Sequence, residues 1–288
     1  SLTPVQVTGL TSGVTSISSG YNATCAIKDG SAKCWGRNDA GRLGDNSTTY
    51  RSAPVQVTGL TAGVQQLKIG SNSACAIVNG AVKCWGYNNY GQLGDGTTTE
   101  SHVPVQVVGV TSGAQYVSVG ESSTFAIING VVKGWGSDSY GNLAKGTNNQ
   151  GSATPVGAFG LNGSPMQLAM GLNHTCSIVG DNVQCWGSNS NGQLGDNTVV
   201  NHPTPLKVTG VGGVGFLTGA QQIAAGDNHT CALANGGVYC WGDNTDGQLG
   251  EGSNTQSITP IQVVGVGGVG TLANVQSIAS GFNHTCAL

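Results

Sequence analysis

Cys25-Ala-Ile-Lys-Asp-Gly-Ser-Ala-Lys-Cys34, followed by Trp35-Gly36, carries the pattern from which the chain is built. Asp29-Gly30 suits a two-residue type I′ turn, whose central positions both need positive φ. The strands then pair Lys28 with Ser31, Ile27 with Ala32, Ala26 with Lys33 and Cys25 with Cys34. Hydrogen-bonded and non-hydrogen-bonded pairs alternate outward from the turn. The two cysteines fall on a non-hydrogen-bonded pair, close enough for a cross-strand disulfide. The unit recurs: Cys75 and Cys84 bracket Asn79-Gly80, Cys176 and Cys185 bracket Gly180-Asp181, and Cys231 and Cys240 bracket Asn235-Gly236. Four bridged hairpins are expected. Paired buried thiols are the plainer alternative, and a zinc site is disfavoured because the short C-x2-C knuckles are missing.

Around Asn129-Gly130 the two cysteine positions hold Phe125 and Gly134, so both partners are lost together. Trp135 nevertheless stays where Trp35, Trp85, Trp186 and Trp241 sit. These tryptophans are expected to pack between sheets independently of the disulfides. On each hairpin Cys25, Ile27, Ala32 and Cys34 share one face, and Thr24, Ala26, Lys33 and Trp35 the other. Each ten-residue loop gives a disulfide worth roughly 2.5–3 kcal/mol by loop entropy.

Of 288 residues, 8% are charged and 38% are apolar, with a net charge of −3. That apolar content, in short β-type runs, argues for a packed β fold rather than disorder. Arg37, Arg42 and Arg51 are the only arginines. No basic footprint exists, so nucleic acid is not an expected partner. No apolar run approaches the roughly 20 residues of a membrane helix, so no membrane insertion is expected. Cysteines in hairpin register imply an oxidising compartment, hence a secreted or cell-surface address.

The glycine before each hairpin recurs as Gly20, Gly70, Gly120, Gly171, Gly226 and Gly281. Each copy offers four short strands: an apolar one such as Val64–Ile69, the two hairpin arms, and a proline-bearing outer one such as Pro54–Val57. Six copies of the first, second and fourth strands are expected and five of the Cys-Trp-Gly strand. Radial repetition of such units is an all-β β-propeller of four-stranded blades. Five complete repeats and a split one are expected over residues 1–288, read as one propeller domain. Cys286 is unpaired, since its partner would lie nine residues on, past Leu288. The chain therefore reads as part of a longer secreted precursor whose ring has six or seven blades. Gly210-Val-Gly-Gly-Val-Gly215 and Gly265-Val-Gly-Gly-Val-Gly270 match G-x-G-x-x-G, but no helix follows either, so both are read as loop.

Gly226-Asp-Asn-His-Thr-Cys-Ala-Leu233, Gly237-Val-Tyr-Cys-Trp-Gly-Asp-Asn244 and Gly247-Gln-Leu-Gly250 together resemble the regulator of chromosome condensation repeat, and the resemblance covers essentially the whole chain. It implies four-stranded propeller blades, seven in the best-known members. It also implies a choice of functions: nuclear guanine-nucleotide exchange, ultraviolet-B sensing, or secreted inhibition of β-lactamases. Exchange is disfavoured by the cysteine pattern and the missing charged surface. Light sensing is disfavoured because arginines are scarce and the tryptophans come one per blade. Inhibition requires only a secreted propeller with an aromatic loop face.

His174, His229 and His284 share one repeat position, where the earlier copies have Ala23, Ser73 and Ser123. They could form part of a metal ring, but no carboxylates accompany them, and hydrogen bonds to loop backbone are the expected role. Asp45, Asp95, Asp196 and Glu251 recur once per loop, too few for calcium, so turn roles are expected. Asn22-Ala-Thr24, Asn46-Ser-Thr48, Asn173-His-Thr175, Asn228-His-Thr230 and Asn283-His-Thr285 fit a glycosylation acceptor. No catalytic constellation, metal site or cofactor site emerges from the residues. Departures from the repeat are Tyr87, Tyr90 and Tyr140, with Tyr21, Leu172 and Phe282, and Ala144-Lys145 in place of Gly-Asp. The tyrosines suit a protein- or glycan-binding face, or are ordinary exposed loop residues. The expected function is a non-catalytic extracellular structural or binding module, self-associating in a surface assembly; the alternative is a secreted hydrolase inhibitor.

Overall fold

Asp29 and Gly30 both take left-handed backbone, with φ of 51° and 73°, and Asn79-Gly80, Asn129-Gly130 and Asn235-Gly236 repeat this. At Gly180-Asp181 only the glycine is left-handed, the pattern of a type II′ turn. Residues 3–147, 150–161 and 163–288 are described by the structure, a computed structural model. Strands β1 (Val14–Ser19), β2 (Ala23–Lys28), β3 (Ser31–Gly36) and β4 (Arg51–Gln56) form an antiparallel sheet in that order. Cys25 faces Cys34 in the β2–β3 register. Their Cα atoms stand 4.1 Å apart, the close spacing of a non-hydrogen-bonded pair, and the disulfide is closed.

The plan repeats. A second sheet runs β5 (Val64–Ile69), β6 (Ser73–Val78), β7 (Ala81–Gly86), β8 (Ser101–Gln106), and a third β9 (Ala114–Val119), β10 (Ser123–Ile128), β11 (Val131–Gly136), β12 (Ser152–Gly157). The fourth holds β13 (Pro165–Met170), β14 (His174–Val179), β15 (Asn182–Gly187), β16 (His202–Lys207). The fifth holds β17 (Ala220–Ala225), β18 (His229–Ala234), β19 (Gly237–Gly242), β20 (Ser257–Gln262). A sixth, two-stranded sheet pairs β21 (Ile278–Ser280) with β22 (Thr285–Ala287). Disulfides Cys75–Cys84, Cys176–Cys185 and Cys231–Cys240 staple the second, fourth and fifth hairpins. Pro54, Pro104, Pro155, Pro205 and Pro260 all lie on outer strands, where a missing N–H costs no ladder bond.

One expectation is corrected. Six outer strands were expected, and the described residues form five; Pro4–Val7 joins no sheet. The reason lies in what an outer strand needs. Gln56 Nε2 bonds the carbonyls of Ala32, Val57 and Leu60, the first of these on its neighbouring third strand. Gln6 bonds only Val7 and Leu10 on its own segment. Among the described residues no third strand lies beside Pro4–Val7, so it has no ladder to extend there.

The chain divides into two compact units. The first runs through Asn129 and takes in Lys133–Ser137 and Gly151–Val156; the second holds Gly130–Val132, Asp138–Gln150 and Gly157–Leu288. Both faces of the inner sheets are buried. In the first unit Cys25, Ile27, Ala32 and Cys34 pack against Ala74, Ala76 and Trp85 of the next sheet. In the second, Cys176, Ile178, Val183 and Cys185 meet Ala232, Ala234 and Trp241 in the same way. Small Ala opposite the disulfide leaves room for the indole, whose burial is worth about 3 kcal/mol. In the third sheet the Phe125 ring covers Gly134 so closely that an added Cβ would stand 2.5 Å from it, so the ring fills the space the disulfide takes elsewhere. Each Gly-rich insert forms a short 3-10 turn, at Val211–Gly213 and Val266–Gly268, and the first packs on β20.

Candidate functional site

The loops after the Trp strand are built around one side chain each. Asn38 Oδ1 accepts the Leu43 N–H at 2.9 Å, while its Nδ2 donates to Asp45 Oδ1 at 3.1 Å and to the carbonyls of Ser47 and Thr49. Asn88, Asn189 and Asn244 do the same with Leu93, Leu194 and Leu249. Asp45, Asp95, Asp196 and Glu251 are the carboxylate partners of these asparagines. Burial opposes ionisation of Asp45, but bonds from Ser47, Arg51 and Asn38 outweigh it and hold the carboxyl below its usual range. The acids are spent inside their own turns.

The folded loop presents a carbonyl to a neighbouring sheet. Trp85 Nε1 donates to Arg42 O, Trp135 to Gln92 O, Trp186 to Asn142 O and Trp241 to Gln193 O, at 2.9–3.0 Å. Reading residues one at a time missed this role, because the acceptor is main chain and its side chain varies among Arg, Gln and Asn. The signal was the constant spacing between Trp-Gly-x-Asn, or Asp in the third copy, and Gly-x-Leu.

Ala144-Lys145 departs from the repeat together with Asp138, which replaces the organising asparagine. Asp138 still accepts the Leu143 N–H, at 2.8 Å, and Lys145 pairs with it at 3.3 Å where the other loops have an acid. Burial pushes the Asp138 carboxyl up, and the Leu143 N–H and Lys145 offset this in part. The two substitutions compensate each other.

The histidines are corrected in detail. The partners of His174 and His229 are side chains of the next sheet, not loop backbone. His174 Nε2 lies 2.9 Å from Thr230 Oγ1, and His229 Nε2 lies 2.9 Å from Thr285 Oγ1. Thr230 gives its own proton to the Gln193 carbonyl at 3.0 Å, so it must accept from His174 Nε2–H. That leaves His174 Nδ1 bare, buried and without a partner. Burial, then the charge of His229, lowers the His174 pKa to about 3; burial, opposed by Asp243 and assisted by His284, lowers that of His229 to about 4. Among the described residues no three His, Cys, Asp or Glu side chains stand close enough to share an ion.

Tyr87 and Tyr90 meet edge to face at 6.3 Å, and Asn89 Nδ2 donates to the Tyr87 hydroxyl. Tyr90 and Tyr140 are exposed; Tyr140 belongs to the second unit. Trp85, Trp135, Trp186 and Trp241 are fully buried, whereas Trp35 is half-buried and lines an open groove of about 470 Å³ with Pro4, Val5, Val7, Ile17 and Thr24. Cys286 is a free, exposed thiol. No helix among the described residues is long and apolar enough to cross a membrane.

Repeated four-stranded antiparallel sheets, packed face to face through a tryptophan within each unit, define β-propeller blades. The Regulator of chromosome condensation (RCC1) repeat matches residues 29–77, 79–127, 181–233 and 235–288, and the chain belongs to that family. The Ultraviolet-B receptor UVR8 of Arabidopsis thaliana is 31% identical over 144 residues, covering 49% of this chain and 31% of the receptor. The chain thus spans less than a third of that relative's length. Human WBSCR16 superposes with a TM-score of 0.82 at 23% identity, covering 96% of this chain and 71% of that one. Prp20p of Saccharomyces cerevisiae, whose structure is reported with its binding properties to Gsp1p and histones, gives 0.60 at 19% identity, covering 95% and 82%. Both solved structures share the fold.

Proposed function

We propose that this chain is a non-catalytic binding module that works outside the cell or at its surface and engages a protein partner through the loops after its Trp strands. The observation that carries the reading is the set of four hairpin disulfides, which persist only where the surroundings are oxidising. A binding role is supported by Prp20p, a propeller reported to bind proteins. It is supported also by the use to which polar groups are put here: the perturbed histidines serve sheet-to-sheet packing, and the loop acids serve their own turns. Partners, glycans included, would meet the exposed Tyr90 and Tyr140.

The experiment is expression with and without export to an oxidising compartment, followed by thiol counting and affinity capture from extracellular material. One free thiol per chain and retention of a protein that a Tyr90→Ala, Tyr140→Ala variant loses are the expected results. Soluble, fully reduced and equally stable protein would remove the extracellular assignment. A second reading, a secreted hydrolase inhibitor, rests on the edge-to-face Tyr87–Tyr90 pair as a rigid aromatic anchor. It requires a one-to-one complex with the enzyme and loss of that enzyme's activity.

A further inference from the structure

Four hairpins turn on the same pair of backbone conformations but not on the same residues, and the difference is chemical. Asp29 and Asn235 both hold a φ of 51°, with Gly30 and Gly236 at 73° and 76°. Asp29 Oδ1 lies against Gly13 as Asn235 Oδ1 lies against Gly219, each so close that the glycine admits no Cβ. An aspartate therefore fits where the fifth sheet has an asparagine. Asn-Gly is also the step at which a main-chain nitrogen most easily reaches a side-chain amide, since glycine puts no Cβ beside it.

What sets the Asn-Gly steps apart is the glycine N–H. In the second sheet Gly80 N–H donates to Gln65 Oε1 at 2.7 Å. In the loop of the fourth sheet Gly192 N–H donates to Asn189 O at 2.8 Å. In the fifth sheet, whose four strands are all present, Gln221 holds the place of Gln65. Even so, among the described residues no acceptor meets the Gly236 N–H. Asn235 and Gly236 are both exposed to water. Asn235 Nδ2 donates to Thr218 O at 2.9 Å, a bond on the nitrogen that leaves and not on the one that attacks.

We propose that Asn235 is a self-modification site, converted by its own chain and water to aspartate and isoaspartate, and that Gln65 protects Asn79 from the same reaction. The attack needs the turn to open, and exposed turns open at little cost. The Gly236 nitrogen gives its proton to water or hydroxide and attacks Asn235 Cγ. The new N–Cγ bond forms, the Cγ–Nδ2 bond breaks, and Nδ2 leaves as ammonia with a proton taken from water. Water then opens the five-membered imide. Cleavage of the new bond gives aspartate, the residue that the first turn already uses. Cleavage of the original peptide bond gives isoaspartate, whose main chain runs through Cβ and Cγ and is one carbon longer. The extra carbon disturbs the Ala234–Gly237 pair beside the turn, while the Cys231–Cys240 disulfide keeps the hairpin closed. No oxidant or reductant takes part.

The test incubates the full, folded chain in mildly alkaline buffer and follows each asparagine by peptide mapping that separates aspartate from isoaspartate. Asn235 should convert about two- to tenfold faster than Asn79 and Asn191, the range that one net hydrogen bond commands. Gln65→Ala should raise the Asn79 rate by a similar factor and leave the Asn235 rate unchanged. Because Gln65 is exposed, this variant keeps the fold. Hydrogen exchange at Ala234 and Gly237 should quicken in the isoaspartate form, and should stay as in the unmodified chain with Asn235→Asp. Equal rates at Asn235 and Asn79 would overturn the proposal. So would an Asn79 rate that Gln65→Ala leaves unchanged.

Discussion

Trp85 donates its indole N–H to the main-chain carbonyl of Arg42, 2.9 Å away and 43 residues earlier in the chain. The bond ties the hairpin of one blade to the Gly-x-Leu-Gly loop of the blade before it, and it recurs at Trp135, Trp186 and Trp241. The carbonyl is main chain, so the tie survives any side chain at the loop position. This is why Arg, Gln and Asn can alternate there.

Trp85→Phe should therefore cost about 1–3 kcal/mol, since it leaves a buried carbonyl unpaired, and Trp85→Ala about 3–5 kcal/mol. Trp35→Phe in this chain should cost less, within about 0.5 kcal/mol of wild type, because Trp35 is half-buried and meets no such loop among the described residues. Denaturant unfolding under non-reducing conditions measures all three. A cost at Trp35 equal to that at Trp85 would show that the indole bond contributes nothing.

Phe125 stands in for a disulfide by covering Gly134. Phe125→Ala should destabilise the chain by about 3–5 kcal/mol, as a cavity opens over a residue without a side chain. The double substitution Phe125→Cys, Gly134→Cys should close a fifth bridge in air, visible as a loss of two thiols by mass, and recover part of that loss.

Asp138 and Lys145 form a compensating pair at 3.3 Å. Lys145→Ala should destabilise at pH 7 by about 1–3 kcal/mol, leaving a buried carboxylate alone. Asp138→Asn with Lys145→Asp should restore most of it by rebuilding the Asn–Asp arrangement of the other loops. A double-mutant cycle should give a coupling of about 0.5–3 kcal/mol; additivity would refute the pairing.

His174 and His229 have folded pKa values lowered to about 3 and about 4, against 6.5 when unfolded. The unfolded chain then binds more protons below pH 6.5, so the stability they contribute is fully present above that pH. It is lost as pH falls toward 4 for His229 and toward 3 for His174, by roughly 1.4 kcal/mol per pH unit for each. His174→Ser with His229→Ser, the residue used at this position by Ser73 and Ser123, should flatten the acid limb of a stability–pH curve. An unchanged limb would mean that both imidazoles titrate as if in water.

The sequence by itself determined the blade: Asp-Gly and Asn-Gly turns set the hairpin register, the register set the cysteines face to face, and the nine-residue spacing repeated it. These are local effects, governed by backbone sterics over a few residues, so they can be read without knowing what lies nearby. Asp138 and Lys145 were legible only as an oddity, and the indole–carbonyl tie and the His174–Thr230 bond were not legible at all. The indole ties and the histidine bond join groups 43 to 56 residues apart, and the acceptor of each tie is a carbonyl that every residue possesses. Only the packing of one sheet on the next decides which carbonyl is met. The same holds for Pro4–Val7, whose sequence is that of an outer strand but which joins no sheet among the described residues, because a strand is made by its neighbour as much as by itself.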